Sequence, residues 1–272
     1  PNASGNPFPT AAFFSGSNAP STELVGFIEQ IPPRHYVMQW KLNSQREIAP
    51  STTAMIAYVA SRGVHNIFQA DDISIVLPEA RTPAGYFWNG STILNPHFGR
   101  VSSTLWNSSS IYHALEVQLN KRMAHGLQAE LSYTFGKGID TSSGTTDGDQ
   151  FQNGLSSLFF FDPRTRRGLS DFNIKHTFNV NFTWNVPRPS DLSGALGWAA
   201  GGWELGGIFQ ANTGVPFTPT IGGDPLGLGN TDPFDFPNYV TGCNPIHGGI
   251  NYLNLSCFAL PTVSASLPAQ LA

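Results

Sequence analysis

YHALEVQLNKRMAHGLQAELSYTFGKGIDTSSG, residues 112–144, consists of two alternating runs around a short break. In the first run Leu115, Val117 and Leu119 alternate with Glu116, Gln118 and Asn120. In the second, Leu127, Ala129, Leu131, Tyr133 and Phe135 alternate with Gln128, Glu130, Ser132 and Thr134. Successive side chains of an extended chain point to opposite faces, so each run reads as a strand with one apolar and one polar face. Met123-Ala124-His125-Gly126 is a tight link between them, which makes the pair a hairpin.

The same pattern recurs outward from this hairpin. Phe178, Val180, Phe182 and Trp184 alternate with Thr177, Asn179, Asn181 and Thr183. Trp203, Leu205, Gly207 and Phe209 face away from Glu204 and Gln210, and Tyr36, Met38, Trp40 and Leu42 alternate with Gln39, Lys41 and Asn43. Thr52 to Ala60 is the weakest candidate, because both of its faces are fairly apolar. Six strands are therefore expected, at about 35–48, 51–65, 109–123, 126–140, 174–186 and 202–219. Short links (Ile48-Ala49-Pro50, the 123–126 break and the longer Pro187 to Gly201) alternate with long segments at 67–108, 141–173 and 221–272. In an up-and-down meander that rhythm puts every short turn on one side and every long loop on the other.

Composition agrees with strands. Only 12% of residues are charged, while 28 Gly and 21 Pro disfavour long helices. At 40% hydrophobic and 12% aromatic, the chain is too apolar for plain disorder. A net charge of -4 and a pI near 5.9 give no electrostatic case for nucleic acid, and only Arg164, Arg166 and Arg167 cluster. No apolar run reaches the roughly 18 residues of a transmembrane helix. Enzyme signatures are missing: there is no Gly-x-Ser-x-Gly elbow, phosphate-binding glycine loop or His-Glu-x-x-His motif. The seven His show no zinc spacing, so the chain is read as non-enzymatic, with no metal and no cofactor.

Two architectures fit an alternating all-β chain. A β-sandwich has one core face and one solvent face on each strand. An antiparallel, up-and-down transmembrane β-barrel has a lipid-facing apolar side, a wet lumen, short periplasmic turns and long external loops. Several long structureless connections favour the barrel, since compact soluble domains rarely carry them. Trp184, Trp203, Tyr36, Tyr58 and Tyr112, near strand ends, are then candidates for its aromatic girdles.

Four blocks carry a family resemblance. Residues 112–144 resemble the "Y-x-A-L-Q-V-x-x-x-K-R…S-Y-T-x-S-K-x-x-D" hairpin of TonB-dependent outer-membrane receptors. The similarity is to the Oar-like subgroup, whose members begin with a carboxypeptidase-regulatory-like domain. YVMQWKLNSQREI (36–48) with AYVASRGVH (57–65), FDPRTRRGLSDFNIKHTFNVNFTWNVP (161–187) and GGWELGGIFQANTGVPFTP (201–219) are similar to three further blocks of that subgroup, in the family's order. The resemblance implies part of a bacterial outer-membrane barrel of about 22 strands, plugged by an N-terminal domain on which TonB pulls. Neither plug nor TonB box is legible in these residues, so the chain is expected to be a middle-to-late stretch of wall.

That expectation assigns roles. Gln39, Lys41, Glu116, Gln118, Glu130, Asn179, Asn181 and Glu204 would line the lumen around the plug, with outer-membrane lipid against the opposite face. Tyr86, Phe87, Trp88 and Trp106 are candidate loop contacts for an unknown small or oligomeric substrate, a sugar or peptide, because aromatic rings stack on apolar ligand faces. Their ordinary reading is loop packing. Arg46, Arg62, Lys121 and Arg122 read as headgroup anchors, lumen ion pairs or solubilising charges. Asp162 and Asp171 are placed to pair with Arg164 or Arg167 at a loop exit, and Asp147-Gly148-Asp149 reads as a turn. Cys243 and Cys257 lie in one loop that crosses an oxidising compartment, so a disulfide is expected. The competing readings are a non-transporting surface barrel or sandwich serving adhesion or carbohydrate binding, and a secreted β-sandwich hydrolase.

Overall fold

The computed structural model describes residues 25–70, 72–82, 85–87, 93–94, 101–143, 160–187, 194–221, 237–246 and 252–260. Its strands, in chain order, are β1 (Val25–Ile28), β2 (Tyr36–Ala49), β3 (Thr52–Ala70), β4 (Ala80–Thr82), β5 (Gly85–Phe87), β6 (Val101–Ala124) and β7 (Leu127–Asp140). They continue with β8 (Gly168–Leu169), β9 (His176–Asn185), β10 (Glu204–Asn212), β11 (Asn238–Tyr239) and β12 (Phe258–Ala259), and one helix, α1 (Gly194–Ala200), precedes β10. The six long strands form one sheet in the order β10-β9-β7-β6-β3-β2, every pair on that path antiparallel. This is the expected meander. Among the described residues no second sheet packs on its faces, as a sandwich requires, and its edges β2 and β10 do not pair with each other.

The tight turns follow from local chemistry. Ala49 pairs with Thr52 around Pro50-Ser51; proline holds a negative φ and Ser51 takes φ 60. The Ser51 amide donates to the Glu47 carboxylate at 3.1 Å. Ala124 pairs with Leu127 around His125 (φ 51) and Gly126 (φ 78). Two positive φ values in a two-residue loop match the strands' right-handed twist. A Cβ on Gly126 would also meet the Asn185 carbonyl oxygen at 2.7 Å, so position 126 excludes any side chain.

At the loop end the sequence expectation needs correcting. The segment 67–108, expected to be loop, contributes strand at both ends: β3 runs on to Ala70 and β6 already begins at Val101. The ladder shifts register between Val64 and Asn66 and again between Asn66 and Phe68, with His65 at φ 57. A bulge inserts an unpaired residue and resets which side chains face which way, so the period-two signal stops there although pairing continues. The far end of β6 also pairs in parallel with β1, from Val25↔Val101 to Ile28↔Thr104. Conversely, the strand expected over 202–219 ends at Asn212, where Pro216 and Pro219 cannot donate to a ladder. Within the other expected loops lie β8, which continues the edge of β7, and the β11–β12 pair.

Among the described residues, the buried apolar side chains other than alanines and the disulfide-bonded Cys257 are not in the middle of the sheet. Phe68, Ile75 and Val76, at most 4% exposed, lie at the loop end. On the sheet itself large apolar side chains stay open, with Leu42 75% and Phe209 57% exposed. Among the described residues no helix is long and apolar enough to cross a membrane, which does not bear on crossing by strands.

Tyr112 does not join the exposed apolar face. Its Cα partner is Gly138, and its ring leans across Gly136, where an added Cβ would meet the hydroxyl at 2.7 Å and ring carbons at 3.1 and 3.2 Å. The expectation that Tyr112 belongs to an outer girdle is thus corrected. Gly136→Ala is expected to destabilise the fold by about 1–3 kcal/mol through overpacking. Gly206→Ala, whose Cβ would meet its nearest neighbour at 3.8 Å, should change stability by less than about 0.5 kcal/mol. Urea titration of the two variants, followed by tryptophan fluorescence, measures the difference; equal midpoints would refute the packing account.

Candidate functional site

Directly opposed residues of a ladder point to the same side, so the register assigns every side chain to a face. By that test Gln39 and Lys41 of β2, Glu116 and Gln118 of β6, Glu130 of β7, Asn179 and Asn181 of β9 and Glu204 of β10 share one face. They also interact. Lys41 Nζ lies 2.8 Å from Glu116 Oε2, reaching across β3 above Ala57, which is 2% exposed. The small side chain at 57 leaves the gap that the ion pair bridges. Gln118 Nε2 donates to Glu130 Oε1 at 2.6 Å, and Asn181 Nδ2 donates to Glu130 Oε2 at 3.3 Å. Asn179 Nδ2 donates to Ser132 Oγ at 3.5 Å. The result is a set of polar contacts spread over one face from β2 to β9. Gln39 and Glu204 lie on the same face of the edge strands, exposed.

The opposite face is apolar: Trp40 and Leu42, Leu115, Val117 and Leu119, Leu131 and Phe135, Phe178 to Trp184 at alternate positions, then Leu205 and Phe209. Towards its loop end two diagonal pairs repeat one geometry. Tyr58 Oη and His113 Nδ1 share a hydrogen bond of 2.7 Å with rings inclined at 18°, and Tyr133 Oη and His176 Nδ1 share one of 2.8 Å at 24°. Trp184 lies at the other end, opposite Leu127 and Leu205. Beside it the Trp203 indole donates to the Ala199 carbonyl of α1 at 2.7 Å.

Two cavities open on the polar face. One of about 600 Å³, near the short turns, is lined by Asn120, Gln128, Glu130, Asn181 and Thr183. The other, about 400 Å³ at the loop end, is lined by Ser61, Tyr112, Thr134, Asp140, Ser170 and Asn173. Both linings mix hydrogen-bonding groups with apolar ones, Phe182 and Ile208 in the first and Ile111, Ile139, Phe172 and Ile174 in the second. Among the described residues no three His, Cys, Asp or Glu gather to hold a metal ion.

The loops above are tied down by buried polar groups. Ser170 N donates to Gly138 O at 3.1 Å and Gly138 N to Asn173 Oδ1 at 2.7 Å, fastening the descending segment to the top of β7. The Ser143 hydroxyl donates to buried Asp140 at 2.9 Å and accepts from the Asp171 amide at 2.9 Å. The basic triplet of the sequence is split three ways. Arg164 grips Asp162, with Nε 2.8 Å from Oδ1 and one terminal nitrogen 3.2 Å from Oδ2. Arg166 is buried, its guanidinium carbon 3.6 Å from the Phe68 ring centroid, and among the described residues its nitrogens have no hydrogen-bond partner. Burial pushes its pKa down to about 10 while the Asp140 carboxylate opposes the shift, so it stays charged at neutral pH. Arg167 is exposed on the opposite face.

Of the aromatic loop candidates, Tyr86 donates its hydroxyl to Asp162, packs edge-to-face on Phe161 at 5.2 Å, and lies under Arg81. Trp106 is half-buried and its amide donates to Glu29 at 2.9 Å. Phe87 ends β5, and Trp88 lies outside the described residues, as does Asp147-Gly148-Asp149. Cys243 and Cys257 are disulfide-bonded with Cα atoms 5.3 Å apart, beside the β11–β12 pair. Sequence reasoning missed the Phe68–Arg166 stack and the Tyr112–Gly136 contact. Only the second left a signal, in two glycines interrupting an alternating strand.

Compared with known proteins, the chain matches a family model described as an outer membrane beta barrel domain over residues 1–269. No curated protein and no solved structure matches it.

The Asp162 cluster has a pH signature. Hydrogen bonds from Arg164 and then Tyr86 hold its carboxyl well below the usual aspartate range. The folded state therefore binds fewer protons than the unfolded one, so this contribution is present above the ordinary value near 4 and is lost as pH falls below it. Cleavage by pepsin near Phe160-Phe161 is expected to accelerate from pH 4.5 to 2 in the native protein. In Asp162→Asn it should be fast throughout; parallel profiles for the two would rule out the linkage.

Proposed function

This chain belongs to the family of outer membrane β-barrel domains, and from that premise we propose that it supplies wall strands to a TonB-dependent receptor of the Oar-like kind. The protein resides in the bacterial outer membrane, with lipid against the apolar face. In this reading the polar face lines a conduit through which a nutrient, a carbohydrate or peptide, moves inward. TonB supplies the energy by pulling on an N-terminal plug, and no catalysis is involved.

The supporting observation is the set of Lys41–Glu116 and Gln118–Glu130–Asn181 contacts on the face turned away from lipid. A wall that met only a dry protein core would place no lysine there; a wall around a hydrated path and a plug needs such groups. Strand length adds support. A tilted strand crosses in about 9–11 residues, whereas β6 has 24, so its surplus carries the β3–β6 pair into the external medium. The four motif blocks supply the TonB-dependent assignment. The loop-end cavity sets hydroxyls and amides (Ser61, Tyr112, Thr134, Ser170, Asn173) beside apolar groups (Ile111, Ile139, Phe172, Ile174), a mixture that suits a carbohydrate or peptide, with Tyr86 and Trp106 contributing to loop shape more than to open stacking surface. The second reading, a surface barrel for adhesion, is favoured only by how firmly the Asp162 and Asp140 clusters tie the loops.

Cysteine labelling in cells distinguishes the readings. In the full-length protein in its native membrane, Asn179→Cys should react with a water-soluble, membrane-impermeant maleimide and Val180→Cys should not. Removing TonB should slow labelling at 179 severalfold. Unchanged labelling without TonB would defeat the transport reading and leave adhesion. Equal labelling at 179 and 180 would defeat the assignment of the conduit face.

A further inference from the structure

The apolar face ends, at the loop end of β7, in a basic cleft that the conduit does not use. Ile139 pairs with Leu169 across β7 and β8, so both point outward, together with Lys137 and Phe135 on β7. Arg167, two residues before Leu169, falls on the same side, and Lys175 Nζ lies 5.9 Å from the Phe135 ring centroid. These six side chains line one cleft of about 510 Å³. Lys137, Arg167 and Lys175 are exposed, and no carboxylate lines the cleft among the described residues. Of the acidic groups at this end of the sheet, Asp140 is engaged with Ser143 and Asp162 with Arg164, and Asp171 is buried.

Depth decides what the cleft meets. Lys137 stands ten positions along β7 from Leu127, which sits on the same face beside Trp184 at the turn end. Ten residues at about 3.3 Å each, tilted by about 40°, rise about 25 Å, the height of the apolar band of such barrels. The Tyr133–His176 pair and Phe135 lie just inside that boundary, where interfacial aromatics are expected. The three cations therefore sit level with the external headgroups, above aliphatic side chains that continue the hydrocarbon-facing surface. Three cations lining one cleft with no carboxylate among its described lining residues suit an anion, and the apolar floor suits acyl chains.

We propose that the β7–β8 cleft binds a phosphate-bearing glycolipid of the outer leaflet, its phosphate between Lys137, Arg167 and Lys175 and its first methylenes against Ile139 and Leu169. Arg167 offers a planar fork for two phosphate oxygens, and the lysines add point charges. The proposal rests on membership of the outer-membrane family and on the outward face, not on transport.

The test uses full-length protein in neutral detergent micelles, titrated with diphosphoryl lipid A and with the same lipid after phosphate removal, and read by native mass spectrometry. Each Lys or Arg near an anionic surface contributes about fivefold. Lys137→Gln/Arg167→Gln/Lys175→Gln should thus lose on the order of 100-fold in affinity for the phosphorylated lipid and change little towards the other. Lys121→Gln/Arg122→Gln, at the opposite end of the hairpin, should bind as the native protein does. Equal binding of the two lipids by native protein, an unaffected triple variant, or an equal loss in the 121/122 variant would each overturn the proposal. If the triple variant fails to fold, as judged by its gel mobility before and after heating, the three single variants carry the test, each with about a fivefold loss expected. TonB-dependent labelling at position 179 is independent of this result, so failure of one reading is distinguishable from failure of the other.

Discussion

Every unpaired backbone N–H or C=O in hydrocarbon carries a penalty of several kcal/mol, and this constraint governs the rest of the molecule. It forces the chain through the membrane as strands whose polar groups are exhausted on their neighbours, and it makes ladder register the variable that decides function. Because the side-chain period is two, a one-residue slip would turn Lys41, Glu116 and Glu130 towards lipid and Leu115, Leu131 and Val180 towards water. The register is pinned where slippage would begin, at Pro50-Ser51 and His125-Gly126, whose backbone conformations admit few alternatives. The edges β2 and β10 are subject to the same constraint: their outward N–H and C=O groups require further strands in the membrane.

A barrel wall inverts the usual arrangement of a soluble protein, and the burial pattern shows where the displaced core goes. Large apolar residues on the sheet remain open to the lipid, while Phe68, Ile75 and Val76 are enclosed among the loops. There they share space with Asp140, Asp162 and Arg166, all buried. Such charges are tolerable in a dry setting only when other groups hold them. Asp162 is held by Arg164 and Tyr86, Asp140 by serine hydroxyls, and Arg166 by the face of Phe68 with Asp140 nearby. The loop end is thus a polar, specifically bonded cap on a wall whose strands pack chiefly through their ladders. A binding surface carried there starts from the described loop segments that these contacts fix to the sheet.

Much of this was legible in the residues. Alternation in 115–120, 127–135 and 177–184 is strong because one face meets lipid and the other water, and that contrast is what a period-two pattern records. The same logic gathered the eight polar candidates onto one face. Where both faces of a strand meet protein, or a bulge intervenes, the contrast vanishes. Hence alternation does not show the extension of β3 beyond His65 or the early start of β6, and it does not show that Tyr112 faces Gly138 and leans over Gly136. Arg164, Arg166 and Arg167 looked like one cluster because adjacency in sequence says nothing about direction. A 3-10 turn followed by the short strand β8 sends them to a carboxylate, an aromatic ring and the outer surface respectively.

The sequence by itself determined strand identity, the polar and apolar faces and the alternation of short turns with long loops, since these depend on side-chain period and backbone preference within a few residues. Only the tertiary structure decided which strands neighbour one another over separations such as Lys41 to Glu116, where the ladder bulges, and which loop charges are neutralised. The outward cleft of Lys137, Arg167 and Lys175 belongs to this second class: its cations come from strands and loops that only a specific register brings side by side.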